Sequence, residues 1–365
     1  MQKRNILFIS ISIVCVALLS GLYILNNIQP NRIQKLSLPF SHSSVSHPTP
    51  VPLQPLTLEQ FFDGVDSAKY PKENLRVLLV TGDIIPARSV NTRTIKYNNF
   101  LWAFEPTASV LRDADVTYSN LESPLTSDCV PTDTGMSFCG DSRHIQGLTF
   151  AGIDVVNLAN NHLGNQGQQG INQTVSYLQK AGIVYSGIEN NPQYLEVRGI
   201  TFAFLGYDDI EAQPGVSRAD TDTIVKEIQI ARSHADIVIV QFHWGVEYVD
   251  QPTERQKYLG KLAIDSGADL VIGNHPHWIQ PVQLYNNKLI TYAHGNFIFD
   301  QMWSEKTREG VIGKYYFYNN TLVDAEYLPI RIEDYGQAQI IQDEEYKKSI
   351  LDEMYNQSVI LQKND

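Results

Sequence analysis

From about residue 74 onward, short β-branched runs alternate with stretches whose apolar residues recur at helical spacing, which predicts an α/β fold. Six of the runs read as strands, and each delivers polar side chains at its carboxyl end. Residues 76–81 lead into Gly82 and Asp83, 115–119 into Asn120, Leu121 and Glu122, and 154–158 into Asn160, Asn161 and His162. Residues 236–241 lead into His243, Trp244 and Gly245, and 269–272 into Gly273, Asn274, His275, Pro276 and His277. The sixth run, 288–292, leads into His294, Gly295 and Asn296. Active sites of α/β sheets collect beyond the carboxyl ends of strands, so these six polar clusters are the candidate chemistry.

The pattern ahead of this region is different. Residues 6–25 carry no charge, enough at helical rise to span about 30 Å of hydrocarbon. Lys3 and Arg4 precede the run, which predicts a retained, single-pass transmembrane anchor with a cytoplasmic N-terminus and an extracytoplasmic domain. A cleaved signal peptide is the rival reading, but no clear small-x-small site closes the run. Residues 26–57 place Pro30, Pro39, Pro48, Pro50, Pro52 and Pro55 among serines and threonines, the composition of an extended tether. Residues 58–335 are expected to form the folded domain. Residues 336–365 read as a helical extension, with Ile350, Met354, Val359 and Leu361 spaced to pack on the domain.

Charge sharpens the picture. All 40 acidic residues and 24 of the 28 basic ones follow residue 58, so that part carries −16 and excludes a surface built for nucleic acid. Three cysteines exclude a disulfide-dense scaffold. Cys15 lies inside the apolar run, whereas Cys129 and Cys139 enclose a polar loop and are expected to pair in an oxidising compartment.

Carboxylates and neutral imidazoles without thiolates suit a divalent metal such as Mn, Fe or Zn. His275 and His277 do not share a helix face at i, i+2, but do share a side in extended backbone, which Pro276 favours. Asn161 offers a neutral oxygen ligand, and His162 beside it an imidazole for general acid work or anion binding. A serine hydrolase is excluded for want of a GxSxG elbow.

Six segments together resemble the CapA-type capsule biosynthesis family, also described as poly-γ-glutamate synthesis proteins: TGDIIPAR (81–88), SNLESPLT (119–126), AGIDVVNLANNHLGNQG (151–167), QFHWGVEY (241–248), GADLVIGNHPHWIQPVQLY (267–285) and YAHGNFIFDQ (292–301). The resemblance implies a four-layer αββα sandwich of metallo-dependent phosphatase type with a site for one or two such metal ions between its sheets. It makes Asp83, Asn161, His243, His275 and His277 metal ligands, with Asn120 or Glu122 as the bridging group. It makes His162 the catalytic imidazole and Arg88 a holder of anionic groups, and we expect Asn160 and Asn296 to contact substrate. Three positions depart from the family pattern. Ile85 replaces the histidine of the usual Asp-x-His, Asn274 stands where histidine often precedes H-P-H, and Asn165 stands where the loop after N-H tends to carry aspartate.

The expectation is therefore a membrane-anchored protein of capsule or poly-γ-glutamate biosynthesis, acting as a metal-dependent phosphoester hydrolase. Its expected partners are the membrane, an anionic polymer or phosphoester substrate, and polymer synthase subunits, with no nucleic acid. The alternative is a non-catalytic, metal-containing subunit that binds or guides the anionic polymer.

Overall fold

Nine of the ten residues of β1 (Leu75–Ile84) are buried, the behaviour of a strand covered on both faces. This computed structural model describes residues 53–63, 69–189, 191–211 and 213–364. The expected membrane span at 6–25 and the tether as far as residue 52 lie outside the described residues. No helix among the described residues is long and apolar enough to cross a membrane.

The remaining strands follow in chain order. The first half holds β2 (Val116–Leu121), β3 (Leu125–Thr126), β4 (Gly140–Asp141), β5 (Val155–Asn157) and β6 (Val184–Ser186). Then come β7 (Gln193–Val197), β8 (Ile200–Asp208), β9 (Ile237–His243), β10 (Leu270–Asn274), β11 (Val282–Tyr285) and β12 (Lys288–Thr291). The last four are β13 (Asn296–Ile298), β14 (Glu309–Tyr318), β15 (Thr321–Glu333) and β16 (Gln337–Ile340). One large sheet runs β16-β15-β14-β1-β2-β5-β6 with β13 also paired to β1, the second runs β11-β12-β10-β9-β8-β7, and β3 and β4 pair separately.

The two sheets bury their facing sides against each other. Leu78, Val80, Val116 and Val155 of the first share one apolar cluster with Phe202, Phe204, Ile237, Ile239 and Leu270 of the second. The alternate residues point outward. Leu79, Leu121 and Val156 pack with Leu148, Ile171 and Leu178 from helices on one outer face. Val238, Val240 and Val271 pack with Ile224, Ile228, Leu259 and Ala263 from helices on the other. The period-two alternation of each strand therefore generates a helix, sheet, sheet, helix layering.

Both ends of the parallel strands carry polar residues, for opposite reasons. At the amino ends, four aspartates tie neighbouring strands together. Asp115 accepts the Val77 N–H at 2.8 Å, Asp154 that of Thr117 at 2.9 Å, Asp236 that of Thr201 at 2.8 Å and Asp269 that of Val238 at 2.9 Å. These carboxylates satisfy backbone donors that the ladder leaves open. The carboxyl ends hold the candidate site.

The first sheet continues past the expected boundary at residue 335, because β15 and β16 form an antiparallel hairpin on either side of it. The helix Glu344–Lys363 buries Ile350, Met354 and Leu361. It also covers the edge strand β11: Ser358 Oγ accepts the Val282 N–H at 2.9 Å, and the Gln362 amide pairs with both backbone groups of Leu284. At the other end, ordered contact begins inside the expected tether. Leu56 is buried, and its N–H donates to Asn287 Oδ1 at 2.8 Å.

Candidate metal centre

Strand register builds the site. Across the first sheet Asn296, Asp83, Asn120, Asn157 and Ser186 are neighbours in a single row. Across the second, Asn274, His243 and Asp208 form the matching row. Residues at one register level point to one face, so the polar ends of both sheets meet where the apolar inter-sheet core stops.

Asp83 is the hub of this contact and is buried. Its Oδ1 accepts from Asn120 Nδ2 at 2.9 Å and from Asn274 Nδ2 at 2.8 Å. Its Oδ2 lies 3.1 Å from His277 Nδ1. Burial alone would raise its pKa, but the hydrogen bond and charge of His277 outweigh that and hold it below the ordinary carboxylate value. His277 responds in the opposite sense: burial lowers its pKa, yet Asp83 and the charge of Glu122 carry it to about 9.

Glu122 stands at the centre. Its Oε1 lies 3.5 Å from His243 Nε2 and 4.0 Å from His277 Nε2. Burial, and then the Asp83 charge, push its carboxyl pKa well above the usual range, while burial lowers that of His243 to about 4. At 3.5 Å the two groups make no hydrogen bond and face a shared point. Ligand atoms of Glu122, His275 and His277 lie within 4.8 Å of one another, as do those of Asp83, Glu122 and His243. Glu122 belongs to both groups. Its Oε1 and His275 Nδ1 are buried with no hydrogen-bond partner, the condition of ligand atoms reserved for a cation. The residues present therefore fit a divalent metal.

Glu122 belongs to both converging groups, whereas Asn120 orients its neighbours. Asn120 spends its amide orienting both carboxylates, donating to Asp83 Oδ1 at 2.9 Å and to Glu122 Oε2 at 3.2 Å. Its oxygen accepts from Asn157 Nδ2 at 3.3 Å. Asn161 reaches the site as expected, with Oδ1 at 2.9 Å from His243 Nε2. Asn160 lies beside it: its oxygen caps the N–H groups of His162 and Leu163, and its amide donates to Leu121 O at 2.9 Å and lies 3.5 Å from Asn120 Oδ1.

The H-P-H element is not extended. His275 and His277 have φ of 95° and 58°, and their rings nevertheless converge on Glu122. Left-handed backbone at non-glycine residues costs of order 1–3 kcal/mol each and gathers at functional sites; Arg88, at φ 48°, is a third case beside the same centre.

The Arg88 guanidinium pairs with Asp300 and lies over the rings of Phe299, at 4.7 Å, and Phe138, at 5.2 Å. His162 stacks on the other partner of this group: its ring centroid is 4.0 Å from that of Phe138. Its Nδ1 lies 2.9 Å from Asn165 Oδ1, and burial lowers its pKa to about 4. Asn296 donates to Thr307 O at 2.9 Å, leaving its oxygen buried and without a partner. Cys129 and Cys139 form a disulfide. The fifth strand-end histidine, His294, turns to the Tyr315 hydroxyl at 2.8 Å and joins neither ligand group.

Two participants escaped the sequence reading. Asp208 ends β8 beside His243, and the apolar run 200–207 followed by two aspartates was its signal. Gln241 donates to Asn274 Oδ1 and so orients the amide that meets Asp83; nothing in the sequence marked it.

A two-sheet α/β protein with a buried carboxylate–imidazole centre at its strand ends is the class that fold and site define. The profile of the family described as bacterial capsule synthesis protein PGA_cap matches residues 77–301, and the chain belongs to that family. It is 32% identical over 294 residues to the PGA biosynthesis protein CapA of Bacillus subtilis (strain 168), covering 76% of this chain and 77% of that one. It is 28% identical over 300 residues to the capsule biosynthesis protein CapA of Bacillus anthracis, covering 76% and 72%. Among solved structures, a 5'-nucleotidase from Candida albicans SC5314 aligns with TM-score 0.41 at 13% identity, over 77% of this chain and 56% of that one.

Proposed function

We propose that this chain is a metal-dependent phosphoester hydrolase acting in the assembly of an anionic capsule polymer of the poly-γ-glutamate kind. We assign its sandwich to the metallo-dependent phosphatase type, which the layering and the strand-end centre support. The carrying observation is the convergence of Glu122 with His275 and His277, and with Asp83 and His243, where Glu122 Oε1 and His275 Nδ1 are buried without a hydrogen-bond partner. The uncharged run 6–25 supports a membrane anchor, and the disulfide supports an extracytoplasmic domain.

Asp83, Glu122, Asn161, His243, His275 and His277 would hold the cation, which when bound supplies Lewis acidity to a phosphoryl oxygen and to the attacking water. Asn120 and Asn274 fix the Asp83 carboxylate so that it cannot rotate away. Arg88, held by Asp300 and two rings, presents a positive charge to the anionic group without reorganising. With Nδ1 committed to Asn165, His162 keeps Nε2 to exchange a proton with a substrate oxygen.

One observation favours the second reading, a metal-containing subunit that guides the polymer. Asn165 is neutral and cannot stabilise an imidazolium as a carboxylate would, which weakens His162 as an acid. Incubating the full-length chain with phosphomonoesters, phosphodiesters and γ-glutamyl peptides, with and without chelator, separates the two. Metal-dependent phosphoester turnover that His162→Ala abolishes supports the hydrolase. Metal-loaded protein that turns over none of these substrates supports the guiding subunit.

A further inference from the structure

We infer that Phe138, the last residue of the disulfide-closed loop before Cys139, is the positioning residue for His162 and Arg88, so that closure of the Cys129–Cys139 loop sets the geometry of the proton-transfer side of the site. The inference rests on the hydrolase reading only for its kinetic consequence.

Phe138 is 1% exposed although residues 130–137 before it are all exposed. It touches His162 in two independent ways. Its ring stacks on the imidazole at 4.0 Å and 25°. Its backbone N–H donates to Asn165 Oδ1 at 2.7 Å, the same oxygen that receives His162 Nδ1 at 2.9 Å. The Phe138 N–H can only donate, which identifies that atom as the amide oxygen, so neutral His162 carries its proton on Nδ1. The opposite side of Phe138 receives the Arg88 guanidinium at 5.2 Å, and Phe299 closes the cluster at 5.8 Å. Phe299 in turn lies 5.4 Å from His277. One ring thus connects the imidazole of His162 to the guanidinium of Arg88.

Beside hydrogen bonds such as that of Gln166 Nε2 to Phe138 O at 3.0 Å, the cross-link restrains this loop. Among its described residues, 131–137 bury nothing, and the apolar side chains Val130 and Met136 are 77% and 58% exposed. The chain there has no core to hold its course. Cys129 and Cys139 fix both ends, with Asn91 Nδ2 at 3.5 Å from Cys129 Sγ. Both cysteines are partly exposed.

The test uses the full-length chain labelled with ¹⁵N at histidine, the His162 signal being assigned by its loss in His162→Gln. In the wild type the spectrum should show a single Nδ1–H tautomer for His162. In Phe138→Leu, and separately in the Cys129→Ser/Cys139→Ser double variant, that signal should broaden or split between tautomers while metal content stays unchanged. Where the chain hydrolyses a phosphoester, kcat should fall by up to about 100-fold, with KM moving less because Asp300 still holds Arg88. An unchanged His162 signal in both folded variants overturns the inference, whatever the activity. If Phe138→Leu does not fold, the cysteine double variant decides alone. A changed signal in a chain that hydrolyses nothing upholds the inference and removes the hydrolase reading.

Discussion

Asn274 and Asp83, 191 residues apart in the chain, are joined by a 2.8 Å hydrogen bond from the Asn274 amide to Asp83 Oδ1. One ends β10 and the other lies near the end of β1, so this bond closes the two sheets over the centre.

Asn274→Leu should therefore weaken metal binding without abolishing it. Loss of one carboxylate-orienting donor costs about 10–100-fold in affinity for sites of this kind. Competition with a fluorescent chelator measures it; an unchanged affinity would show that Asp83 needs no support from the second sheet.

Glu122→Gln should separate stability from metal binding. The buried carboxyl has no partner on Oε1 and crowds the Asp83 charge, so the neutral amide relieves a cost that only a cation otherwise offsets. In chelator the variant should melt above the wild type, and added metal should no longer raise its Tm. Metal-dependent stabilisation equal to that of the wild type would place the cation elsewhere.

Asn165→Asp should raise the pKa of His162 from about 4, because a carboxylate at the same 2.9 Å contact stabilises the imidazolium that the amide cannot. The histidine-ring resonances followed between pH 4 and 8 report it directly. A titration curve that does not move would mean that Asn165 merely packs.

Outside the centre, His144 gives a pH signature. Its ring is buried, with Nε2 3.0 Å from Asn91 Oδ1, and burial lowers its pKa from 6.5 to about 4. The unfolded chain takes up a proton below 6.5 that the folded chain refuses until about 4, so this contribution is complete above 6.5 and is lost as pH falls through that window. Between pH 7 and 5 the loss is about 2 kcal/mol. Urea unfolding of the wild type and His144→Gln at both pH values should show the variant losing less stability on acidification. Equal losses in both would exclude His144 as the cause.

Much of this site was legible from the strand ends, and the limits were physical. All six predicted runs lie on strands, because a run buried on both faces stays apolar until it reaches the site. Asn120 and Glu122 were not separable, since alternation puts i and i+2 on the same side of a strand; the register of Asn120 beside Asp83 and Asn157 decides their roles. The long hairpin of β14 and β15 went unread because it ends in turns, at Asn319 and at Asp334–Gly336, and not in a polar cluster. The roles of Asn160 and Phe138 arise from loops folding back on the site. Spacing along the chain carries no trace of such contacts.

The central claim is that the strand-end carboxylates and imidazoles form a metal centre, and elemental analysis of the purified full-length chain tests it most directly. Wild type and His162→Ala should each retain stoichiometric divalent metal, because His162 is bound to Asn165 and Phe138 and not to the ligand groups. His277→Ala should lose that metal yet keep the Tm of the metal-free fold to within a few degrees. Wild-type metal content in His277→Ala, or no bound metal in the wild type after incubation with Mn, Fe and Zn, would contradict the account.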